Sequence, residues 1–186
     1  MMADEILAIY AEQGSGAYLG EPVSVNEHAL QSAYFAEAAG ASGPLVLAAL
    51  LHDIGHLIEP APDDIGEWKS DAHHELTGGR WLARRFGPEV SEPVRLHVPA
   101  KRYLCATEAS YAKALSPASV ITLKLQGGPM SAAETAAFEA EPHWREALLV
   151  RRCDDQGKVQ GLQTPNFDHY RSLIEQWATR SLRSAG

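Results

Sequence analysis

His52 and Asp53 stand side by side near the end of P-L-V-L-A-A-L-L-H-D-I-G-H-L, residues 44 to 57, with His56 one helical turn further on. An imidazole beside a carboxylate offers one nitrogen donor and one hard anionic oxygen, a set suited to an ion of the iron, manganese or zinc type. The carboxylate has two oxygens, so it can bridge two ions. On a helix His52 and His56 share a face and Asp53 lies about 100° round from them, so the three line one concave wall. A lone histidine–aspartate doublet arises often by chance, and its plain reading is a helix end with a capping imidazole and a solvated acid. Here the doublet has company: His28, the neighbours His73 and His74, His97, and the neighbours Asp154 and Asp155.

Helices must position these residues. Residues 4 to 13 read as a short amphipathic helix with Ile6, Leu7, Ile9 and Tyr10 on its apolar side. The following G-S-G-A-Y-L-G-E-P is a glycine-rich loop carrying Tyr18 and Glu21. Such a loop is usually a plain connector, although a Tyr and a Glu held near a site would make a lid. Ser24 and Glu27 form a capping box, so a helix starts there and runs to about Gly40 with His28 in its first turn. The apolar run at 44 to 57 is the next helix, ended by Pro60 and Pro62, and A-P-D-D-I-G-E-W is loop. A third helix is expected from Ser70 or Asp71. On it His73 and His74 point in different directions, so one of the two faces the site. Gly78 and Gly79 each cost up to ~1 kcal/mol relative to Ala in a helix, a cost that close approach of another backbone would explain.

Gly87-Pro88 opens a fourth helix, expected over 88 to 98. His97 and Lys101 then lie four apart across Pro99, at a helix end where both side chains can turn inward. Thr107 is expected to cap a short helix through Leu115, and Ser116-Pro117 to open the next, with Pro at its first position. Gly127-Gly128-Pro129 stops that element. Ser131 and Glu134 form a second capping box, for a helix over 131 to 140. Pro142 starts another, whose stripe of Trp144, Ala147, Leu148 and Cys153 ends at Arg151, Arg152, Asp154 and Asp155. A final amphipathic helix runs from about Phe167 to Leu182. Strand signals are absent, since there is little period-two alternation and no Asn-Gly or Asp-Gly turn. The expected fold is all-α, one helical bundle over residues 1–186.

Bulk properties narrow the function. With 186 residues the chain is long enough to bury a core without staples. Its two cysteines, Cys105 and Cys153, fit neither a disulfide framework nor a C-x-x-C zinc site, so a reducing cytoplasm is the expected location. The N-terminus M-M-A-D-E-I-L-A lacks the basic and long apolar regions of a signal peptide. No run approaches the ~18 apolar residues of a membrane span. A net charge of −8 argues against a nucleic-acid surface, yet leaves room for a small anion in a locally basic pocket.

Four imidazoles and two carboxylates from five helices, in the order H…HD…H…H…D, resemble the HD-domain superfamily over nearly the whole chain. The short form H…HD…D of that family binds one metal, and the two additional histidines are what a second requires. The resemblance implies that His28, His52 and Asp154 hold one ion, that His74 and His97 hold the other, and that Asp53 bridges them. It selects His74 because the family's motif is H-E, matched by His74-Glu75, and Asp154 as the first of its D-D pair.

Four further blocks are similar to a smaller branch, the mixed-valent di-iron oxygenases that cleave organophosphonates and are related to the inositol oxygenases. These are Y-L-G-E at 18 to 21, L-H-V-P-A-K-R-Y-L at 96 to 104, L-S-P-A-S at 115 to 119 and L-Q-G-G-P-M-S at 125 to 131. That likeness implies two iron ions, Fe(II) and Fe(III), with O2 as co-substrate and a 1-hydroxyalkylphosphonate as substrate. Lys101 and Arg151 are then the cations for the phosphonate, with Ser119 and His56 as further donors. Tyr18 and Glu21 would form the lid, Tyr18 occupying the iron until substrate displaces it and Glu21 meeting a cationic tail. Two other readings compete. A metal-dependent phosphohydrolase of a nucleotide or small phosphate ester would turn over without O2. A non-catalytic sensor module would bind without turnover, and the complete ligand set argues against it.

Overall fold

Pro88–Thr107, twenty residues long, form the helix against which the rest of the site is assembled. The computed structural model describes residues 1–59 and 73–184, with side chains as far as 178. Among these it contains eleven helices in the order α1 (Met2–Gln13), α2 (Val25–Ala38), α3 (Gly43–Leu51), α4 (Ile54–Ile58), α5 (His74–Ala83) and α6 (Pro88–Thr107). They continue with α7 (Ala109–Ala114), α8 (Pro117–Leu125), α9 (Ala132–Glu139), α10 (Trp144–Gln156) and α11 (Phe167–Ser184). No strand occurs among the described residues, only an isolated bridge between Ala17 and Ser24 at the neck of the glycine-rich loop. The all-α expectation holds.

The centre of the bundle is α3. Leu47, Ala48, Ala49, Leu50 and Leu51 are all fully buried, because this helix is apolar on every side and is surrounded by α2, α6, α10 and α11. Each buried leucine contributes roughly 1.5–3 kcal/mol. Along α6 lie α5 on one side and α10 on the other, while α1 and α11 pack on each other. Tyr10 of α1 sends its hydroxyl 3.0 Å to the carbonyl of Leu50. Both capping boxes are present: Ser24 Oγ accepts from the Glu27 N–H and Ser131 Oγ from the Glu134 N–H, with each Glu returning the bond. Each cap is worth about 1 kcal/mol.

Several boundaries differ from the sequence expectation. The run at 44 to 57 is not one helix: α3 stops at Leu51, and α4 starts at Ile54 after Asp53 leaves helical geometry (φ −100°, ψ 10°). The stop at Pro60 and Pro62, the loop that follows and the start at Ser70 or Asp71 lie outside the described residues. The helix bearing the double histidine begins at His74, behind His73 in the left-handed conformation (φ +50°). The expected end of α6 at 98 is also not observed. That helix continues through Pro93 and Pro99, so His97 and Lys101 share one face as i and i+4. An interior proline costs about 3 kcal/mol. Packing on two sides, with Val94, Leu96, Val98, Ala100 and Leu104 buried, outweighs that cost. Thr107 caps nothing: it is the last residue of α6, its hydroxyl donates to the Tyr103 carbonyl, and Glu108 stands at the N-cap of α7.

Gly55 and Gly78 let α4 and α5 approach backbone to backbone. A Cβ on Gly55 would collide with the His74 carbonyl, and one on Gly78 would sit 3.2 Å from the Gly55 nitrogen. The two backbones touch there, as the glycines of α5 suggested. That contact fixes α5 beside α4, with the His56 and His74 rings stacked 3.9 Å apart.

Candidate metal centre

Each histidine of the inner cluster has its Nδ1 set against a backbone carbonyl, which fixes its tautomer. His28, in the first turn of α2, has Nδ1 2.8 Å from the Gly157 carbonyl, and His52, at the end of α3, has Nδ1 2.8 Å from the Ala49 carbonyl. A carbonyl can only accept, so both Nδ1 atoms carry a proton and both Nε2 atoms are left to take an ion or, in its absence, a second proton. Those two Nε2 atoms face each other at 3.0 Å. Two acceptors at that distance repel unless a positive charge lies between them. Asp154 on α10 closes this cluster, its Oδ1 3.5 Å from His28 Nε2, buried and with no hydrogen-bond donor.

A second cluster lies beside the first. His97 on α6 has Nδ1 2.7 Å from the Val94 carbonyl, and its Nε2 is 3.2 Å from Nε2 of His74. Asp53 stands between the clusters. Its Oδ1 lies 3.1 Å from His74 Nε2 and 3.6 Å from His97 Nε2, while its Oδ2 lies 3.4 Å from His52 Nε2 and 3.7 Å from His28 Nε2. The break between α3 and α4 places the carboxylate there. Donor atoms of His28, His52 and Asp154 lie within 4.8 Å of one another, and so do those of Asp53, His74 and His97. Facing lone pairs, a donorless carboxylate oxygen and mixed nitrogen and oxygen donors fit a pair of first-row transition ions joined by one carboxylate.

Without an ion a proton supplies the positive charge between the two nitrogens, and His52 is the imidazole that carries it. Burial, followed by the charge of His52, pushes His28 down to about 4. Burial and then His56 push His74 down to about 3. For His52 burial acts the same way but is outweighed by Asp53 and Asp154, which lift it to about 9. Asp154 is buried too, which disfavours its charge, yet Arg151 above all and then Lys158 hold it well below the carboxylate range. Arg151 is 4% exposed and donates to Asp154 Oδ2 at 2.6 Å, to Asp155 and to the Tyr111 hydroxyl at 2.9 Å. It therefore orients Asp154, leaving Oδ1 turned to the imidazoles.

A cleft opens onto Asp53, His74, His97 and Asp154, while His28 and His52 lie behind it. The other residues singled out in the sequence, Tyr18, Glu21, His56, Lys101, Ser119 and Arg151, all line this one cleft. Tyr18 donates its hydroxyl to Asp53 Oδ2 at 2.7 Å and stacks on His28 at 3.8 Å. Burial and the nearby Asp53 charge raise its pKa well above the usual phenol value, so it remains a donor. Lys101 is 3% exposed and donates to the Thr122 hydroxyl at 2.8 Å. Burial, then Arg151, lowers it to about 7. The double histidine divides as expected, with His74 in the cluster and the His73 side chain 64% exposed.

Sequence reasoning missed Thr122, Gln126 and Lys158, which also line the cleft. Thr122 lies three residues after Ser119 on α8, a helical spacing that could have found it. Gln126 stands inside the L-Q-G-G-P-M-S block. Lys158 gave no such signal, since α10 ends at Gln156 and only the turn at Gly157 swings the lysine back to the site.

Comparison with known proteins agrees with this geometry. The HD domain family model matches residues 25–154. The chain is 40% identical over 174 residues to [1-hydroxy-2-(trimethylamino)ethyl]phosphonate dioxygenase (glycine-betaine-forming) of Leisingera caerulea, covering 94% of this chain and 89% of that one. It is 44% identical over 160 residues to hydroxymethylphosphonate dioxygenase of Gimesia maris, covering 86% and 80%. An uncharacterized protein of Acanthamoeba polyphaga mimivirus is 35% identical over 178 residues, 95% of this chain and 81% of its own. The matched span runs from the first turn of α2 to Asp154, so it takes in every ligand candidate. Likeness of this extent and degree establishes kinship: the chain belongs to the HD-domain family, on the branch that holds these phosphonate dioxygenases.

Proposed function

We propose that this protein is a di-iron oxygenase that cleaves the C–P bond of a 1-hydroxyalkylphosphonate. The carrying observation is the carboxylate of Asp53 set between two buried pairs of imidazoles, in a chain similar to two dioxygenases of hydroxyphosphonates. The reaction balances as R–CH(OH)–PO3H2 plus O2 giving R–COOH plus H3PO4, with O2 supplying both added oxygens and accepting four electrons. His28, His52 and Asp154 would hold one iron, His74 and His97 the other, and Asp53 both; residues 1–186 act as one domain. Bound as an Fe(II)/Fe(III) pair, iron supplies Lewis acidity and the reduction of O2, which redox-silent zinc or magnesium cannot.

The protein supplies the rest. Lys101, Ser119 and His56 line the cleft on the side where a phosphonate would meet the centre, and their donors suit its oxygens. Arg151 keeps Asp154 ionised and turned inward. Tyr18, 7% exposed, closes the cleft over Asp53 and excludes water, and together with Glu21 it forms the lid. Displacing its hydroxyl from Asp53 makes room for the substrate.

The test is phosphate release from hydroxymethylphosphonate by iron-loaded protein, with O2 uptake followed in parallel. One O2 consumed per phosphate supports the reading. No phosphate from hydroxymethylphosphonate, together with O2-independent hydrolysis of a nucleotide or small phosphate ester supported by manganese, cobalt or nickel, would instead mean a phosphohydrolase.

A further inference from the structure

Glu21 and Lys158 set the charge of the cleft beside Asp154. The Glu21 carboxylate accepts from the Ser116 hydroxyl at 2.5 Å, and Lys158 Nζ stands 3.7 Å from the same Oε1. Both side chains are 11% exposed, so solvent screens the pair weakly. Lys158 is also anchored elsewhere: it donates to Ser119 Oγ at 3.1 Å and lies 3.7 Å from Asp154 Oδ1. It thus ties the glycine-rich loop, α8 and the end of α10 together around the opening.

Among the described residues, the acids lining the cleft are Glu21, Asp53 and Asp154. Asp53 and Asp154 belong to the metal centre, which leaves Glu21 to receive a positive group on a substrate. Its carboxylate is already satisfied by Ser116 and Lys158. Any cation that reached Glu21 would come to rest beside the Lys158 ammonium, with little water between them. Among the cations, Arg151 is committed to Asp154 and Asp155, whereas Lys101 donates to a neutral hydroxyl. Among the described residues, the cleft therefore meets a ligand with the Lys158 ammonium and the Lys101 amino group, and with its one remaining carboxylate neutralised.

We infer that the Lys158–Glu21 pair makes this site selective for hydroxyphosphonates whose substituent at C1 carries no positive charge. Hydroxymethylphosphonate and 1-hydroxyethylphosphonate are of that class, and the 2-amino- and 2-trimethylammonio-1-hydroxyethyl compounds are not. This rests on the proposed function, and it makes Lys158 a specificity-determining residue. The ammonium favours the phosphonate and opposes a cationic tail at once.

Anaerobic titration calorimetry on the iron-loaded protein gives the affinities of hydroxymethylphosphonate and of the trimethylammonio compound without turnover, and phosphate release then gives kcat/KM for both. The uncharged compound is expected to lead at least tenfold in both measurements. In Lys158→Met that ratio should fall at least fivefold, while Lys158→Arg, which keeps the charge, should retain it. Iron content of each variant separates a lost ion from a changed preference. Preference of the native protein for the cationic compound, or an unchanged ratio in an iron-replete Lys158→Met, would overturn the inference. Binding in the expected order with no phosphate released would uphold the charge selection and sink the oxygenase reading instead.

Discussion

The two halves of the candidate metal centre are built from similar residues and held very differently. In the half made by His28, His52 and Asp154, both imidazoles are fully buried, both have Nδ1 on a backbone carbonyl, and Asp154 is gripped by Arg151. In the half made by Asp53, His74 and His97, only His97 has such a carbonyl. His74 follows a left-handed residue, keeps 8% of its surface exposed and faces the cleft. Rigid support fixes donor directions and keeps an ion in place, whereas exposure lets ligands exchange. The difference suits the first half to anchoring an ion and the second to meeting a ligand from the cleft.

Removing what the halves share should have the largest effect. Asp53→Asn withdraws one charge from both, and kcat/KM should fall at least ~10³-fold, about 4 kcal/mol of barrier. Metal analysis should show fewer than two ions per chain. Two tightly held ions in that variant would dissolve the picture of a shared carboxylate. Next comes the asymmetry itself. His52→Ala strands the Ala49 carbonyl inside the core, and should cost the metal-free protein about 2 kcal/mol in urea unfolding, with loss of the anchored ion. His74→Ala should cost under ~1 kcal/mol and leave one ion bound. Equal losses would mean the halves are equivalent after all.

A smaller effect concerns Lys101 on the open side. Burial lowers its pKa to about 7, so between about 7 and its unfolded value of 10.5 the folded protein has released a proton that the unfolded chain keeps. Its folded pKa being depressed, the cost of burying the cation is fully present below about 7 and fades as pH rises towards 10.5. A bound phosphonate reverses the shift, so binding near pH 8 should take up nearly one proton. Calorimetry in buffers of different ionisation enthalpy measures this, and Lys101→Arg should bind without uptake. The smallest effect is expected at Tyr111, whose hydroxyl donates to Asp155 at 2.5 Å and accepts from Arg151. Tyr111→Phe should weaken only the anchored ion, by about threefold, roughly 0.6 kcal/mol. A metal-competition titration resolves that change, and weakening of both ions alike would contradict the separate support of Asp154.

The legibility of the site follows the same division. His28, the doublet, His97 and Asp154 stand on or beside helices announced by a capping box, an apolar run or an opening proline, and the H…HD…H…H…D order tied them together. Lys158 stayed unseen because a turn, not a helix, returns it to the cleft. The end expected at Pro99 was mistaken because propensity is local, while the packing that carries α6 past it comes from α5 and α10.

From its amino acids alone the chain was determined to be helical, to carry six ligand candidates and to resemble phosphonate-cleaving oxygenases. These depend on residue type, order and short-range periodicity, which one dimension holds in full. Tertiary structure alone decided that α3 breaks to put Asp53 between the imidazole pairs, that Tyr18 reaches Asp53, and that Glu21 meets Lys158. Each of these depends on distances of a few ångströms between residues far apart in the chain, and no local pattern encodes such distances.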